Sequence, residues 1–342
     1  MKKIIKFKEA INLALKSLLK KNKDIILMGL GVGDPKNIFE TTNGLKEQFG
    51  ENRVFDVPCS ENALTGIAVG FGIRKKIILT HQRFDFALLS FDQLINNAAK
   101  LHYMFGGNLS TNMTVRSIIG KGWGQGPTHS QNFQSLLAHI PGLKIFYPFS
   151  ANDVYNILIK SVLDPNPVLI LEHRWLYELS SEVRKQKKIS LTKKLSSGNK
   201  ATIVSMGETV LDAHKIKKIF KQKKIKFDIF QLVSISPLDL GIIKTSLRKT
   251  KKLVILEPSN KTMSISSEIV STMKNVNINF ESLIISNPDL PTPTSFFLTK
   301  KFYPNICDTA IKIQKLLNVN FKINFNENNF HDIPNQNFKG PF

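Results

Sequence analysis

Arg53-Val54-Phe55-Asp56-Val57-Pro58-Cys59-Ser60-Glu61, followed by Asn62-Ala63-Leu64-Thr65-Gly66-Ile67-Ala68-Val69-Gly70, is the stretch on which the fold turns. Residues 53–60 read as a short extended run. Residues 63–70 read as an apolar helix of small residues. Glu61 stands at the junction, directly after a Ser that suits the N-cap position. Two readings are open for it. One is a solvated carboxylate that complements the helix dipole. The other is a carboxylate backed by apolar residues and placed for proton transfer with a buried ring nitrogen. The neighbouring segments decide between them.

On either side, strands alternate with helices. Phe7, Ala10, Ile11, Ala14 and Leu18 recur at helical spacing. Strands are expected at 24–30, 77–80, 115–119, 143–147 and 168–171, with a long helix traced by Phe84 to Ala98 and another over 152–163. This pattern predicts a mainly parallel sheet covered on both faces. Residues 179–200 turn polar and basic and read as a linker. A second alternation then begins, with strands expected at 201–206, 225–232, 252–257 and 280–285 and helices at 209–222, 238–249, 262–274 and 305–317. The expected class is therefore α/β, as two consecutive domains at 1–178 and 201–317, with an Asn-rich tail at 318–342. That tail reads as poorly ordered or packed on a partner.

Composition narrows the function classes. The chain has 342 residues, 42% hydrophobic and 22% charged, which is ordinary for globular protein. No apolar run reaches the about 18 residues that a membrane helix needs. Met1-Lys2-Lys3-Ile4-Ile5-Lys6 starts like a signal peptide, but Lys6, Lys8, Glu9 and Lys16 interrupt any apolar region, so a cytoplasmic protein is expected. The two cysteines, Cys59 and Cys307, give no zinc or redox spacing. The formal charge of +22 raises nucleic-acid binding. Against it, the lysines are spread along the chain, and no aromatic interleaves the cluster Arg184-Lys185-Gln186-Lys187-Lys188. No nucleic acid is expected, and an acidic protein partner suits the charge better.

Two further segments carry chemistry. His81-Gln82-Arg83-Phe84-Asp85-Phe86 ends a strand and opens a helix, at the carboxyl edge where open α/β sheets bind ligands. Gly120-Lys121-Gly122-Trp123-Gly124-Gln125-Gly126-Pro127-Thr128-His129-Ser130-Gln131 places four alternating glycines after a strand, which lets backbone approach a ligand closely. It matches neither a dinucleotide fingerprint nor a phosphate loop. It ends in His129, at the mouth of a helix expected over 130–138. Each residue also has a bland reading: Phe86 as core, Arg83 as a surface charge, His129 as structural.

Taken together, these segments resemble a family. Glu61-Asn62-Ala63 with Thr65-Gly66-Ile67-Ala68-Val69-Gly70, Phe84-Asp85-Phe86-Ala87, Asp92-Gln93, His129-Ser130-Gln131, Pro141-Gly142-Leu143-Lys144 and Asp164-Pro165-Asn166-Pro167-Val168 are similar to the beta subunits of thiamine-diphosphate-dependent 2-oxo acid dehydrogenases of pyruvate dehydrogenase type. Ser236-Pro237-Leu238-Asp239 and Asp289-Leu290-Pro291-Thr292-Pro293 are similar to their C-terminal domain, so the likeness runs from about residue 5 to 317. It implies two domains of transketolase type, the first binding the cofactor's pyrimidine. It implies that Glu61 hydrogen-bonds a pyrimidine nitrogen, that Phe86 stacks on that ring with Gln82 beside it, and that His129 assists the substrate or the acyl acceptor. A monovalent cation is expected near Asp164 and Asn166, and Arg83 and His81, where this chain is more polar than the family's pattern, are expected near the substrate.

The likeness also implies a partner. The superfamily holds Mg²⁺ and the diphosphate with a Gly-Asp-Gly run followed by Asn-Asn, and this chain has no such run. A separate alpha subunit is expected to carry it, in an alpha2beta2 heterotetramer, with a lipoyl acyltransferase as possible acyl acceptor. Departures mark a divergent branch. Gly29-Leu30-Gly31 stands where Gly-Glu-Glu is common, Gln82-Arg83 where Met-Thr is, His81 where an aromatic is, and Ser264-Ile265-Ser266 where glycines are. The alternatives are a lipoate-independent decarboxylase or carboligase subunit, and a non-catalytic scaffold.

Overall fold

The structure, a computed structural model, describes residues 3–33, 37–81, 83–122 and 124–325. The chain divides into two compact units. The first comprises Met1–Gly120 and Leu136–Ile189; the second comprises Lys121–Ser135 and the chain from Ser190 onward.

In the first unit, β1 (Lys3–Lys6) pairs antiparallel with β8 (Ser180–Val183). The main sheet is built from β2 (Ile25–Gly29), β3 (Val54–Phe55), β4 (Lys76–His81), β5 (Met113–Ile119), β6 (Lys144–Phe146) and β7 (Val168–His173), in the order β6-β7-β5-β4-β2-β3. Every pairing among these six is parallel. Parallel strands lie under helices on both faces, which is why β5 is buried at all seven positions. The Phe7–Lys21 helix buries Phe7, Ala10, Ile11, Ala14, Leu15, Leu18 and Leu19, the stripe its spacing foretold. Glu9 accepts the Lys6 amide at 3.0 Å at its start.

Polar chemistry is also buried here. Arg116 on β5 makes a two-pronged pair with Glu172 on β7, at 2.7 and 2.8 Å, with both side chains fully buried. Tyr177 donates to the same carboxylate at 2.8 Å, and Arg116 reaches Thr41 at 3.1 Å. Burial alone would lower the guanidinium pKa, but the Glu172 carboxylate more than offsets it and the net direction is upward.

The second unit is a five-stranded sheet in the order β14-β13-β10-β11-β9. Its strands are β9 (Thr192–Ser196), β10 (Thr202–Met206), β11 (Asp228–Leu232), β13 (Lys252–Asn260) and β14 (Glu281–Asn287), with the short β12 (Ser234–Ser236) between β11 and β13 in the chain. Only β9 runs antiparallel to its neighbour. The helices Thr209–Lys221, Gly241–Thr250, Ile265–Asn275 and Ile306–Leu317 fall where the periodicity put them. Two α/β domains with mainly parallel sheets are thus present.

Several details differ from the sequence reading. The stretch 179–200 contains β8 and β9, because exposed strands with mixed charge carry no apolar run to betray them. The long helix over 84–98 is broken into Phe84–Ala87, a 3₁₀ turn at Leu88–Ser90 and a π-helical Gln93–Ala98. There, Asn96 and Asn97 donate to Asp92 and Gln93 at 2.7 and 2.9 Å, and Gln93 lies against Gly66, where an added Cβ would meet it at 3.3 Å. Residues 318–325 pack on the unit's own core, with Phe321 edge-on to Phe220 at 5.2 Å. Among the described residues, no helix is long and apolar enough to cross a membrane.

Candidate active site

Glu61 is the first residue of the Glu61–Gly72 helix, after Ser60 at the N-cap. It is 7% exposed, so the solvated reading fails. Among the described residues its carboxylate has one partner, the Cys59 thiol, and that contact is long at 3.8 Å. A carboxyl group held only by a long thiol contact has an oxygen left to share a proton with a ring nitrogen. Glu61 therefore fits a pyrimidine nitrogen.

The backbone of Glu61 is held more firmly than its side chain. Thr65 Oγ1 donates to the Glu61 carbonyl at 2.8 Å and lies 3.3 Å from His81 Nε2. Because the hydroxyl proton goes to the carbonyl, the imidazole Nε2 carries the hydrogen and donates to Thr65. His81, at the end of β4, is 3% exposed, and burial pulls its pKa down to about 4. The ring is neutral at pH 7 and ties the carboxyl end of β4 to the first turn of the helix. Thr65 stood four residues from Glu61 in the quoted stretch, the spacing of one helical turn, and this was the signal that could have found it.

Arg83 and Phe86 are both half-buried, at the opening of the Phe84–Ala87 helix. Burial lowers the Arg83 pKa and neighbouring Asp85 opposes the shift. Gln82 lies outside the described residues. At the end of β7, Arg174 is buried with its guanidinium 4.5 Å from the Phe39 ring centre. Burial first, then the positive charge of Arg83, brings its pKa to about 10. Arg83 and Arg174 thus stand near enough at the carboxyl edge of this sheet to repel one another, with Asp85 beside Arg83. Sequence reasoning did not foresee Arg174 as part of that edge.

His129 belongs to the second unit, on the Lys121–Ser135 segment, whereas Glu61, His81, Arg83 and Phe86 belong to the first. Its Nδ1 lies 2.7 Å from the Thr128 carbonyl. A carbonyl only accepts, so Nδ1 carries the hydrogen and Nε2 is the basic atom of the neutral ring. Gly124 and Gly126 have φ of +67° and +68°, and a Cβ on Gly126 would meet Thr294 Oγ1 at 2.5 Å. The close approach these glycines permit is to Thr294 of the same unit. The helix expected from 130 begins at Gln134, after Asn132 accepts the Gln134 amide at 3.4 Å.

Asp164 is engaged by Lys144 Nζ at 2.5 Å and by the Asn166 amide at 3.0 Å. Among the described residues, no three His, Cys, Asp or Glu side chains group as metal ligands.

Comparison with known proteins extends this geometry. The family described as "Transketolase, pyrimidine binding domain" matches residues 3–180, and "Transketolase, C-terminal domain" matches 191–308. A pyruvate dehydrogenase E1 component subunit beta from Rhizobium meliloti is 32% identical over 313 residues, covering 89% of this chain and 68% of that one. The Rickettsia felis protein of the same description is 31% identical over 321 residues, covering 91% and 98%. The mitochondrial one from Saccharomyces cerevisiae is 30% identical over 330 residues, covering 93% and 90%. A solved structure described as a split-gene transketolase, inactive beta4 tetramer, superposes with a TM-score of 0.77 at 19% identity, over 92% of this chain and 99% of that one, and supports the fold. With both domains matched in order and the beta subunits aligned along nearly the whole chain, this protein belongs to the beta-subunit family of the thiamine-diphosphate-dependent 2-oxo acid dehydrogenases.

Proposed function

We propose that this chain forms the pyrimidine half of a thiamine diphosphate site, completed by an alpha subunit that holds the diphosphate through Mg²⁺ in an alpha2beta2 assembly in the cytoplasm. The observation that carries the reading is the buried Glu61 carboxylate, whose one partner among the described residues is a distant thiol. Thiamine diphosphate, when bound, supplies a nucleophilic carbon and an electron sink for decarboxylating a 2-oxo acid.

The chain's own residues then have distinct tasks. Glu61 shares a proton with the pyrimidine nitrogen, and its shielding from water keeps that proton from being lost to solvent. The Thr65–His81 clamp holds the backbone from which this carboxylate projects. Phe86 offers a flat apolar face to the ring, with Gln82 beside it. Arg83 pairs with the substrate carboxylate, and His81 takes part through the neighbouring edge of β4. His129 uses Nε2 to move a proton at the substrate oxygen or at the acyl acceptor, a lipoyl group carried by an acyltransferase.

Calorimetric titration of thiamine diphosphate with Mg²⁺ tests the shared site. The chain alone is expected to give no saturable heat, and the chain mixed with its alpha partner a saturable isotherm. Equal binding by the isolated chain contradicts the proposal.

A further inference from the structure

Glu257 on β13 is 3% exposed, yet its carboxylate accepts five hydrogen bonds. Four come from nearby in the chain: Ser259 Oγ at 2.7 Å, Ser259 N at 3.3 Å, Ser266 Oγ at 2.7 Å and Ser266 N at 3.0 Å. The fifth, from Gln134 Nε2 at 2.6 Å, crosses 123 positions of sequence. Gln134 is fully buried and also sits 3.6 Å from Met206 Sδ. It stands five positions after His129.

Among the described residues, contacts at Lys121, at Gly124 and Gly126, and at Gln134 join the segment carrying His129 to the rest of the second unit. Lys121 Nζ lies 3.6 Å from Glu208 Oε1 and 5.3 Å from the Tyr303 ring centre. Gly124 and Gly126 rest on Thr294. Gln134 meets Glu257, which makes the shortest of these contacts and lies wholly out of water. A buried bond to a carboxylate is stronger than an exposed neutral one, and no water can replace it when it is lost. The four local donors hold Glu257 rigidly, so its bond to Gln134 fixes a point of the segment.

We infer that Glu257 is a positioning residue that acts through Gln134 to set where His129 stands. This rests on the proton-transfer role proposed above for His129. Four local hydrogen bonds preorganise Glu257, and Glu257 preorganises the segment on which the half-buried His129 stands.

The test uses the chain assembled with its alpha partner and loaded with thiamine diphosphate. Glu257→Gln keeps the size but presents an amide where acceptors are needed. It is expected to lower acceptor-dependent turnover by about 10- to 100-fold, the cost of a displacement of about 1 Å in a reacting group. In the His129→Ala background the same substitution is expected to change turnover by less than about twofold, because the residue it positions is gone. An equal loss in both backgrounds overturns the inference. A second readout needs no cofactor. Hydrogen–deuterium exchange of amides 124–133 in the full chain should rise in Glu257→Gln while β10, β11 and β13 stay protected, and unchanged exchange in 124–133 overturns the anchoring. Gln134→Ala removes the same bond and leaves the four local donors in place, so it must reproduce the pattern and decides the matter if Glu257→Gln does not fold. Should His129→Ala leave turnover intact, the role of His129 falls, and with it the catalytic part of this inference, while exchange still reports on the anchor.

Discussion

Glu61 and His81 sit 20 positions apart and are buried to a similar degree, but burial acts on them differently. For Glu61 it provides a dry acceptor. For His81 it forbids a charge: the folded ring titrates near 4, against 6.5 for an ordinary histidine. Between those values the unfolded chain binds a proton that the native one does not, so stability falls as pH drops from about 6.5 to 4. The loss is on the order of 3 kcal/mol, from 1.36 kcal/mol per pKa unit. His81→Phe should remove this part of the acid sensitivity. Urea unfolding at pH 7 and pH 4 for both proteins measures it, and parallel losses would contradict the burial argument. At this scale the sequence was informative where chemistry is local. The strand-to-helix junction and the Ser before it located Glu61 at a helix start, while its role was implied only by the family resemblance. The Thr65–His81 contact was not, because it joins a helix turn to the end of a later strand, and nothing in either segment names the other.

Among the elements, the sheet strands were the most legible and the broken helix the least. Apolar runs mark strands buried on two faces, as β5 and β7 show. The helical pattern from Phe84 to Ala98 is real, but the backbone winds in turn as α, 3₁₀ and π helix. Periodicity alone does not distinguish those windings. The pair Arg116–Glu172, between β5 and β7, was also invisible, since each residue interrupts an apolar run and reads as an exception. Glu172→Gln leaves the Arg116 charge buried without its counter-charge and should cost about 3–5 kcal/mol in equilibrium unfolding; a loss below about 1 kcal/mol would show that the pair is replaceable. Phe321, half-buried on Phe220, is a milder case. Phe321→Ala should cost about 1–2 kcal/mol, combining an aromatic pair with partial burial. An unchanged unfolding midpoint would mean that residues 318–325 do not stabilise the second unit.

For the whole molecule, alternation of strands and helices announced two α/β domains, and both are present. What alternation could not announce is that residues 121–135, which lie in sequence between β5 and β6, pack with the second unit. Such an excursion is fixed by Lys121–Glu208, Thr294 and Gln134–Glu257, all contacts with residues far along the chain. The central claim is that the Glu61 carboxylate drives the cofactor's chemistry, and carbon dioxide release from a 2-oxo acid by the assembled, thiamine-diphosphate-loaded complex measures it most directly. Glu61→Gln preserves shape and removes the charge, and should abolish release while the complex still assembles. Release at the unsubstituted rate would contradict the account.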